Sequence, residues 1–334
     1  MDSPGMNVRQ IAKIAGVSTA TVSRVYRGVG SVSPQMRERV QAAIEQYGYR
    51  PSHFGEALAR RRHGALGIVF PGLSGPYFAE LIDGFERVAV EHRMSVHIVG
   101  THLRQDAGDE LLAMTRRVDG IAVHGGTVPT ATIAQLARST PLVVIGDHDG
   151  DVPVTVRTDN DAIRQLVRHL LDDHGYRRLV FVGTPDGSPD ITARWEAFRA
   201  AHREAGLEPP AEPLRVGLQQ SDGVRAADRV IGGGYDAAVC ANDETALGLL
   251  IASLGRGVRV PHDLAIVGVD DVPLSSLVRP GLTTVARPLV DLASTTAELL
   301  LELIEGRDVP HETVLESHVV RRGSCGCPEP EGAN

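Results

Sequence analysis

The sequence has little of several things that common protein classes require. Of its 334 residues only three are cysteines and 4% are aromatic, and Lys13 is the only lysine. Three cysteines do not make a disulfide framework. A P-loop and a Schiff base each need a lysine, so both kinds of site are excluded after residue 13. No apolar run reaches the ~18 residues of a membrane span, and no signal-type segment opens the chain. We therefore expect a cytoplasmic protein without a membrane anchor.

The charge of the chain is distributed unevenly. The formal net charge is -8, yet residues 1 to 63 carry ten Arg and Lys against four Asp and Glu, a net +6. The remaining residues carry a net -14. A small basic head joined to an acidic body is expected when only the head contacts a polyanion. The distribution favours nucleic acid as a partner of the head.

The head begins with the pattern of two short helices joined by a tight turn. The first helix has apolar residues three or four positions apart, at Val8, Ile11, Ala12 and Ala15. Gly16 ends it, and Ser18 offers an N-cap hydroxyl to a second helix in which Val22 and Val25 face inward. This is the helix-turn-helix pattern, whose second helix lies in the major groove of DNA.

A third helix follows. Ser33 and Pro34 form an N-cap with proline at the first helical position, and Gly48 closes the helix. Its predicted buried stripe consists of Met36, Val40, Ala43, Ile44 and Tyr47. A three-helix bundle with no DNA-binding role is the alternative interpretation. It is disfavoured because the helices are too short to be stable alone and the outer face of the second carries hydroxyls and arginines.

The segment from Ala15 to Val25 closely resembles the head of the lac repressor (LacI/GalR) family of transcription regulators. The resemblance implies base contacts for Thr19, Ala20 and Arg24, and phosphate contacts for Ser18, Thr21 and Ser23. An arginine can donate two hydrogen bonds to guanine, whereas Ala20 can offer only a methyl contact, for example to thymine.

Residues 51 to 63 form a basic segment that could become one or two helical turns. In the family it is a hinge helix that pairs with its dimer mate and inserts a leucine into the minor groove, and the resemblance places Leu58 there. Gly55 weakens such a helix, and Glu56 puts a negative charge close to phosphate. A solvated linker is the alternative, and we expect little helix away from DNA.

The body, from residue 64 onward, alternates short apolar runs with helical patterns. The apolar runs cover residues 66–70, 95–99, 121–123, 142–145, 179–182, 237–240 and 264–269. This alternation predicts parallel sheets with right-handed crossovers, and the length predicts two lobes. Ligands of open α/β sheets bind beyond the carboxyl ends of the strands.

Polar residues follow several of these predicted strands. Asp147 follows the 142–145 run, Asn242 follows the 237–240 run and Asp270 follows the 264–269 run, while Arg194 lies in the segment after the 179–182 run. Carboxylates, an amide and a guanidinium around a cleft can bind vicinal hydroxyls in a fixed geometry. The pattern favours a sugar as the ligand.

Three further runs, 240–248, 267–271 and 282–285, resemble the effector domain of the same family, which shares the periplasmic sugar-binding-protein fold. The resemblance extends from about residue 7 to residue 324. It implies effector contacts by Arg194, Asn242 and Asp270, with Asp147 and His124 beside them and Tyr77 and Phe78 as ring-stacking walls. Leu218 departs from the family, in which that position is usually aromatic.

Other polar residues have simpler interpretations. For Asp243 and Asp271 we favour loop or cap chemistry over ligand contact, because a second carboxylate beside the first often caps the following helix. Cys325 and Cys327, near His318, could bind zinc, but a pair close to the chain's tail is expected to lack enough fixed partners. We therefore predict no metal site and no cofactor.

Together these patterns predict an all-α helix-turn-helix head (residues 6–50), a hinge (51–63), an α/β periplasmic-binding-protein-like body of two parallel-sheet lobes (64–324) and a tail (325–334). One lobe comprises residues 64–160 with 288–316, and the other 161–287 with 317–324. The predicted function is a repressor that binds near-palindromic, double-stranded operator DNA as a homodimer. A small polar effector, a sugar, controls it as inducer or corepressor.

Two other functions are compatible with parts of the sequence. One is a sugar-processing enzyme with an appended DNA-binding head. It is disfavoured because the body has no lysine, no P-loop and no Gly-x-Ser-x-Gly elbow. The other is a periplasmic sugar-binding protein, which the basic head disfavours.

Overall fold

The computed structural model describes residues 6–28, 30–49, 62–104 and 106–328. The chain divides into two compact units, a head that ends at Gly64 and a body that begins at Ala65. No helix in the described ranges is long and apolar enough to span a bilayer.

The described part of the head contains three helices, α1 (Val8–Ala15), α2 (Thr19–Arg27) and α3 (Pro34–Tyr47). Each ends at a glycine with a positive φ, at 65° for Gly16, 68° for Gly28 and 59° for Gly48. That conformation is favourable for glycine, so the glycines set the helix lengths. The helices enclose a small core of Ile11, Ala12, Ala15, Val22, Val25, Val40, Ala43 and Tyr49.

The predicted buried stripe of α3 is wrong at its two ends. Met36 is 42% exposed and Tyr47 is 44% exposed, whereas Val40 and Ala43 between them are buried. The reason is geometric, because α3 has 14 residues while α1 has eight and α2 nine. At ~1.5 Å per residue, α3 is longer than its two partners and its ends extend past the core.

The body alternates strands and helices. The strands are β1 (Ala65–Phe70), β2 (Ser95–Gly100), β3 (Gly120–His124), β4 (Leu142–Ile145), β5 (Thr155–Thr158), β6 (Leu179–Val182), β7 (Ala237–Cys240), β8 (Ala265–Val267), β9 (Thr284–Ala286), β10 (Glu312–Leu315) and β11 (His318–Val320). The helices are α4 (Pro76–Glu91), α5 (Ala107–Met114), α6 (Thr130–Ala137), α7 (Asp161–Asp172), α8 (Pro189–Glu204), α9 (Gln220–Gly232), α10 (Asp243–Gly255), α11 (Leu274–Leu277) and α12 (Leu289–Ile304). A 3₁₀ helix, Gly323–Cys325, follows β11.

The first sheet has six parallel strands in the order β10-β5-β4-β3-β1-β2. In β1, Ile68 pairs with Ile98 on one side and Ala122 on the other. All six residues of β1 are buried because helices cover both faces of the sheet. Helices α4 and α12 pack on one face, and α5 and α6 pack on the other.

The second sheet contains β6, β7 and β8 in parallel. A bridge between Val267 and Thr283 adds β9 beside β8, and β11 pairs antiparallel with β9. Helices α7 and α8 pack on one face, and α9 and α10 on the other. We call each sheet with its helices a lobe.

Over residues 106–328, the chain passes between the lobes three times. The passages follow β5 (residues 159–160), β9 (287–288) and β10 (316–317). Each lobe is therefore built from separate stretches of sequence.

Candidate functional site

The start of α2 is fixed by its own side chains. The Ser18 hydroxyl accepts a hydrogen bond from the Thr21 backbone N–H at 3.1 Å, and the two hydroxyl oxygens lie 2.9 Å apart. Upstream, Asn7 and Gln10 form a reciprocal capping box on α1. Such caps satisfy backbone N–H groups that a helix leaves free at its start.

The outward face of α2 matches the sequence prediction. Thr19, Ala20 and Arg24 are exposed, whereas Val22 and Val25 are buried. Gly30, whose φ is +77°, lies beside the Arg24 stem, and a Cβ on it would be 3.2 Å from Arg24 Cδ. The exposed guanidinium-bearing face can thus contact an external partner without disturbing the core. Leu58 and residues 50–61 lie outside the described residues.

The predicted effector residues in the body come from both lobes. On the first lobe, Tyr77 and Phe78 begin α4, His124 ends β3 and Asp147 follows β4. Those on the second lobe are Arg194 in α8, Asn242 before α10 and Asp270 after β8.

On the first lobe, Tyr77 and His124 are hydrogen-bonded. The carbonyl of Gly125 can only accept, so His124 Nδ1 donates to it at 3.0 Å. His124 Nε2 lies 3.0 Å from the Tyr77 hydroxyl and 3.7 Å from Asp190 Oδ2. Burial raises the pKa of Tyr77 far above its usual value, which Arg287 only partly offsets. Tyr77 therefore keeps its proton at physiological pH.

Asp190 bridges the two lobes. Its carboxylate belongs to α8 on the second lobe, and Oδ1 accepts the backbone N–H of Asp147 on the first lobe at 2.7 Å. Burial raises the pKa of Asp190, but His124, Arg287 and Arg194 together outweigh it, so the pKa lies below its usual value. Asp190 is an ionised group at the junction between the lobes.

Two arginines share the carboxylate of Asp270. Arg194 Nη2 lies 3.5 Å and Arg287 Nη1 lies 3.4 Å from Asp270 Oδ1, and all three side chains are at most 5% exposed. Arg194 also donates to the carbonyl of Ala241, and Arg287 Nε donates to the Thr158 hydroxyl at 2.8 Å. Buried charges need such pairing to offset the cost of desolvation.

Asp270 sits on an unusual backbone. Its φ is +118°, and that of Asp271 is +57°. Positive φ is costly for residues with a Cβ and is concentrated at binding sites. Burial raises the pKa of Asp270, and Arg194 and Arg287 oppose that rise.

Asn242 lies at the same end of the sheet, but its side-chain amide already makes two hydrogen bonds within the protein. Its Oδ1 accepts the Thr245 N–H at 3.0 Å and caps α10, while its Nδ2 donates to the Leu218 carbonyl at 2.8 Å. Only one amide hydrogen is left for a ligand. Leu218 itself is 38% exposed.

Asp243 and Asp271 make structural contacts within the second lobe, but neither caps the following helix. Asp243 is the first residue inside α10, and its fully buried carboxylate points away from the helix start and contacts residues 272–284. It accepts from the Ser275 hydroxyl at 2.6 Å, the Thr284 hydroxyl at 2.6 Å and the Val272 N–H at 3.0 Å. Asp271 instead pairs with Arg322 at 2.7 Å. Both carboxylates hold segments of the second lobe together.

The pKa of the Asp243 carboxyl is raised. Burial, and then the negative charge of Asp270, raise its pKa to about 7, although its three donors oppose this. The carboxyl is thus partly protonated at neutral pH.

Sequence reasoning missed Asp190 and Arg287, the two residues that complete this network. Asp190 could have been found, because it stands four residues before Arg194 and therefore on the same face of α8. Arg287 directly follows β9, a three-residue strand too short to mark the position as a strand end.

Aromatic rings border the network on the first lobe. The ring centroids of Tyr77 and Phe78 lie 5.1 Å apart and those of Phe78 and Phe70 lie 5.3 Å apart, both edge to face. The guanidinium of Arg287 lies 5.8 Å from the Tyr77 ring. Rings of this kind can stack on the apolar face of a sugar.

The premise that Cys325 and Cys327 lack fixed partners is wrong. They lie with His169 and His174, and all four ligand atoms fall within 4.8 Å of one another. His318 is instead exposed on β11.

Two family models match the chain. Residues 7–52 match bacterial regulatory proteins of the lacI family, and residues 167–325 match a periplasmic binding protein-like domain. The HTH-type transcriptional regulator GalR of Escherichia coli K12 is 30% identical over 336 residues, 98% of each chain. The catabolite control protein A of Priestia megaterium is 29% identical over 322 residues, 94% of this chain and 97% of the relative.

Solved structures are similar over nearly the whole chain. The lac repressor dimer bound to operator and the anti-inducer ONPF matches with a TM-score of 0.84 and 26% identity, covering 96% of this chain and 99% of that one. The transcriptional regulator CelR in complex with cellobiose matches with a TM-score of 0.70 and 27% identity over the same shares.

Proposed function

Because the chain belongs to the lacI family of bacterial regulatory proteins and is a DNA-binding transcriptional regulator, we propose that it is a repressor controlled by a sugar. It acts in the cytoplasm, where its DNA is, and it binds its effector without converting it. Relatives named as transcriptional regulators support this choice over an enzyme with an appended head.

The head reads the operator through α2. Thr19, Ala20 and Arg24 contact base edges in the major groove, and Ser18, Thr21 and Ser23 contact phosphates. The exposure of Thr19, Ala20 and Arg24 supports the base-reading role. Leu58 is proposed as the minor-groove wedge on the family resemblance alone.

The protein binds as a homodimer, since a two-fold pair of heads matches two related half-sites of a near-palindromic operator. The structural similarity to a lac repressor dimer on operator supports this assembly. The body also exposes large apolar side chains, including Val90, Ile98, Leu103 and Leu277.

The effector binds between the lobes. The observation that carries this proposal is a network in which a half-buried Tyr77 and the buried side chains of His124, Asp190, Arg194, Asp270 and Arg287 join donors and acceptors of both lobes. Its charged groups already satisfy one another, so a ligand has to exchange hydrogen bonds with them. Sugar hydroxyls suit that exchange because each both donates and accepts. Asp147 and Asn242 add contacts at the rim, and Phe78 adds a ring wall.

Control follows from the contacts that join the lobes. Asp190 holds the Asp147 backbone and faces His124, and Arg287 holds Thr158 at the end of β5. A ligand that replaces these contacts changes the balance between two arrangements of the lobes. Both signs of control, induction and corepression, are compatible with this mechanism.

A thermal-shift screen of sugars on the full-length protein tests the proposal. A sugar present at 100 times its Kd should add ~2.7 kcal/mol of stability. The same sugar should change operator affinity in fluorescence anisotropy and should be recovered unaltered. If no sugar stabilises the protein, or if the stabilising sugar is converted, the corresponding part of the proposal is wrong.

A further inference from the structure

Four metal-ligating side chains converge on the second lobe, outside the cleft network. They are His169, His174, Cys325 and Cys327, with every pair of ligand atoms within 4.8 Å. Cys325 and His169 are buried, whereas Cys327 and His174 are partly exposed and give the cluster an opening to solvent. More than 150 residues of sequence separate the two histidines from the two cysteines, so the fold brings the pairs together.

Local backbone geometry places the two histidines next to the two cysteines. His169 is in the last turn of α7, and the chain then turns so that the His174 N–H donates to the His169 carbonyl at 3.3 Å. Cys325 ends the 3₁₀ helix, and Gly326 has a φ of +107°. A Cβ on Gly326 would lie 3.1 Å from the His174 ring. Glycine therefore permits both the turn and the close approach that set the two thiols beside the imidazoles.

Four of the six distances between ligand atoms are close to those of a small tetrahedron. Cys327 Sγ lies 3.3 Å from His169 Nε2 and 3.6 Å from His174 Nε2, and Cys325 Sγ lies 3.7 Å from His169 Nε2. The two Nε2 atoms are 3.0 Å apart. Zinc bonds of about 2.3 Å to sulfur and about 2.0 Å to nitrogen give tetrahedral edges of roughly 3.3 to 3.8 Å. The remaining two pairs lie within 4.8 Å, so side-chain adjustment would bring all four ligand atoms to these distances.

Neighbouring groups orient the imidazoles as in metal sites. Asp173 accepts from His169 Nδ1 at 2.6 Å, which places the lone pair of a neutral His169 ring on Nε2, facing the cluster. A carboxylate on the outer nitrogen of a ligating histidine is the usual outer-sphere partner of zinc. The His174 ring stacks on Tyr176, at 13° and 5.5 Å, and the Tyr176 hydroxyl donates to the Cys325 carbonyl at 3.0 Å. Both rings and the cysteine segment are thus held in place.

We propose that His169, His174, Cys325 and Cys327 form a structural Zn²⁺ site. Two thiolates and two imidazoles in a tetrahedron are a preferred ligand set of zinc. Four protein ligands leave no open position, so the ion would stabilise the fold and take no part in a reaction. The site would join the end of α7 to residues 323–327, and its existence does not depend on the proposed regulatory function.

Metal titration of the full-length, tag-free protein with reduced thiols tests the site. Chelation and dialysis first remove any bound metal. When Zn²⁺ is then restored, we expect one Zn²⁺ per chain by elemental analysis and a rise in the unfolding temperature. Co²⁺ in its place should give the intense visible bands of tetrahedral coordination together with a thiolate-to-metal charge-transfer band.

Variants locate the ion. Cys327→Ser, at one partly exposed ligand, should reduce the charge-transfer band and weaken binding by more than 100-fold. His174→Ala, at the other, keeps both thiolates and should weaken binding by more than 100-fold. Asp173→Asn should weaken it by about 10- to 100-fold, as loss of an outer-sphere partner does. Cys240→Ala removes the third, buried thiol and should bind zinc like the wild type. The proposal is overturned if the reduced wild type binds no zinc, or if Cys327→Ser binds it unchanged.

Discussion

The head and the body place their proposed binding residues in opposite environments. In the head, Thr19, Ala20 and Arg24 are exposed and lie on a helix whose opposite face forms the core. In the body, Asp190, Arg194 and Asp270 are buried, Arg194 pairs with Asp270, and Asp190 faces His124. A change on the head's surface should therefore affect DNA binding alone. A change in the body's network should affect ligand binding and fold stability together, because the same contacts serve both.

The largest effect is expected at Asp270. Asp270→Asn should weaken effector binding by ~2 to 5 kcal/mol, since it removes a buried charge shared by two arginines. Operator affinity without effector should be unchanged. Asparagine tolerates a positive φ, so the backbone is preserved. Calorimetric titration and operator anisotropy measure the two quantities. Asp271→Asn is the matched control, and equal losses in both variants would contradict the assignment of the cleft.

A second prediction uses the pKa of Asp243. The native state keeps the proton up to about pH 7, whereas an unfolded carboxyl releases it near its ordinary value of 3.8. Between these values the native state binds more protons, so this group's stabilisation falls as pH rises, by up to about 1.4 kcal/mol per pH unit. Asp243→Asn should remove that part of the slope in urea unfolding between pH 4 and pH 7.

The control for this slope is Asp228→Asn. Asp228 pairs with Arg256 on the surface, and that hydrogen bond lowers its pKa. Its contribution is therefore lost only as pH falls below the ordinary carboxyl range. A wild-type slope in Asp243→Asn would mean that Asp243 is ionised throughout the native state.

The third prediction concerns base reading in the head. Arg24→Ala should cost ~1 to 3 kcal/mol of operator binding and relax sequence preference at one position in each half-site. Arg39→Ala removes the same charge from α3 and should leave the preference intact. Competition against a randomised operator library distinguishes them. Uniform weakening by Arg24→Ala would make Arg24 a phosphate contact, and a changed thermal stability of the body would contradict the separation of the two units.

The smallest effect is expected at a helix cap. Asn7→Ala removes the capping box of α1 and should destabilise the head by about 1 kcal/mol. Amide hydrogen exchange at buried Ile11, Val22 and Val40 reports it. Ser33→Ala, whose hydroxyl accepts a longer bond of 3.4 Å from Met36, should cost less. If exchange in the body also quickens, the caps act beyond the head.

The sequence predicted what depends on local patterns. Gly16, Ser18 and Gly48 mark helix ends by local chemistry, and the structure confirms each. The apolar runs of β1 and β4 predicted parallel strands, and the parallel pairing of both with β3 confirms this. Short strands such as β9 and β11, of three residues each, carry no periodicity long enough to identify.

Residues whose role depends on distant partners were harder to predict. From its position before a helix, Asp243 was predicted to be a cap. Its actual hydrogen-bond partners, Ser275 and Thr284, are about 30 to 40 residues away in sequence and could not be identified from local patterns. His169 carried no visible signal for the cysteines, since its spacing to His174 is not that of a single helical face. The lobe boundaries and the individual DNA and effector contacts remain predictions.

The positions of β10 and β11 have a consequence for synthesis. These strands complete the two sheets and lie at residues 312–320, whereas the head's core is complete at residue 49. About 270 residues are translated between those points, and at about 5 to 20 residues per second that takes roughly 15 to 50 s. During this interval a nascent chain carries a finished head but no effector-binding body. We expect such chains to be unable to respond to effector, and single heads on the ribosome to bind DNA only weakly.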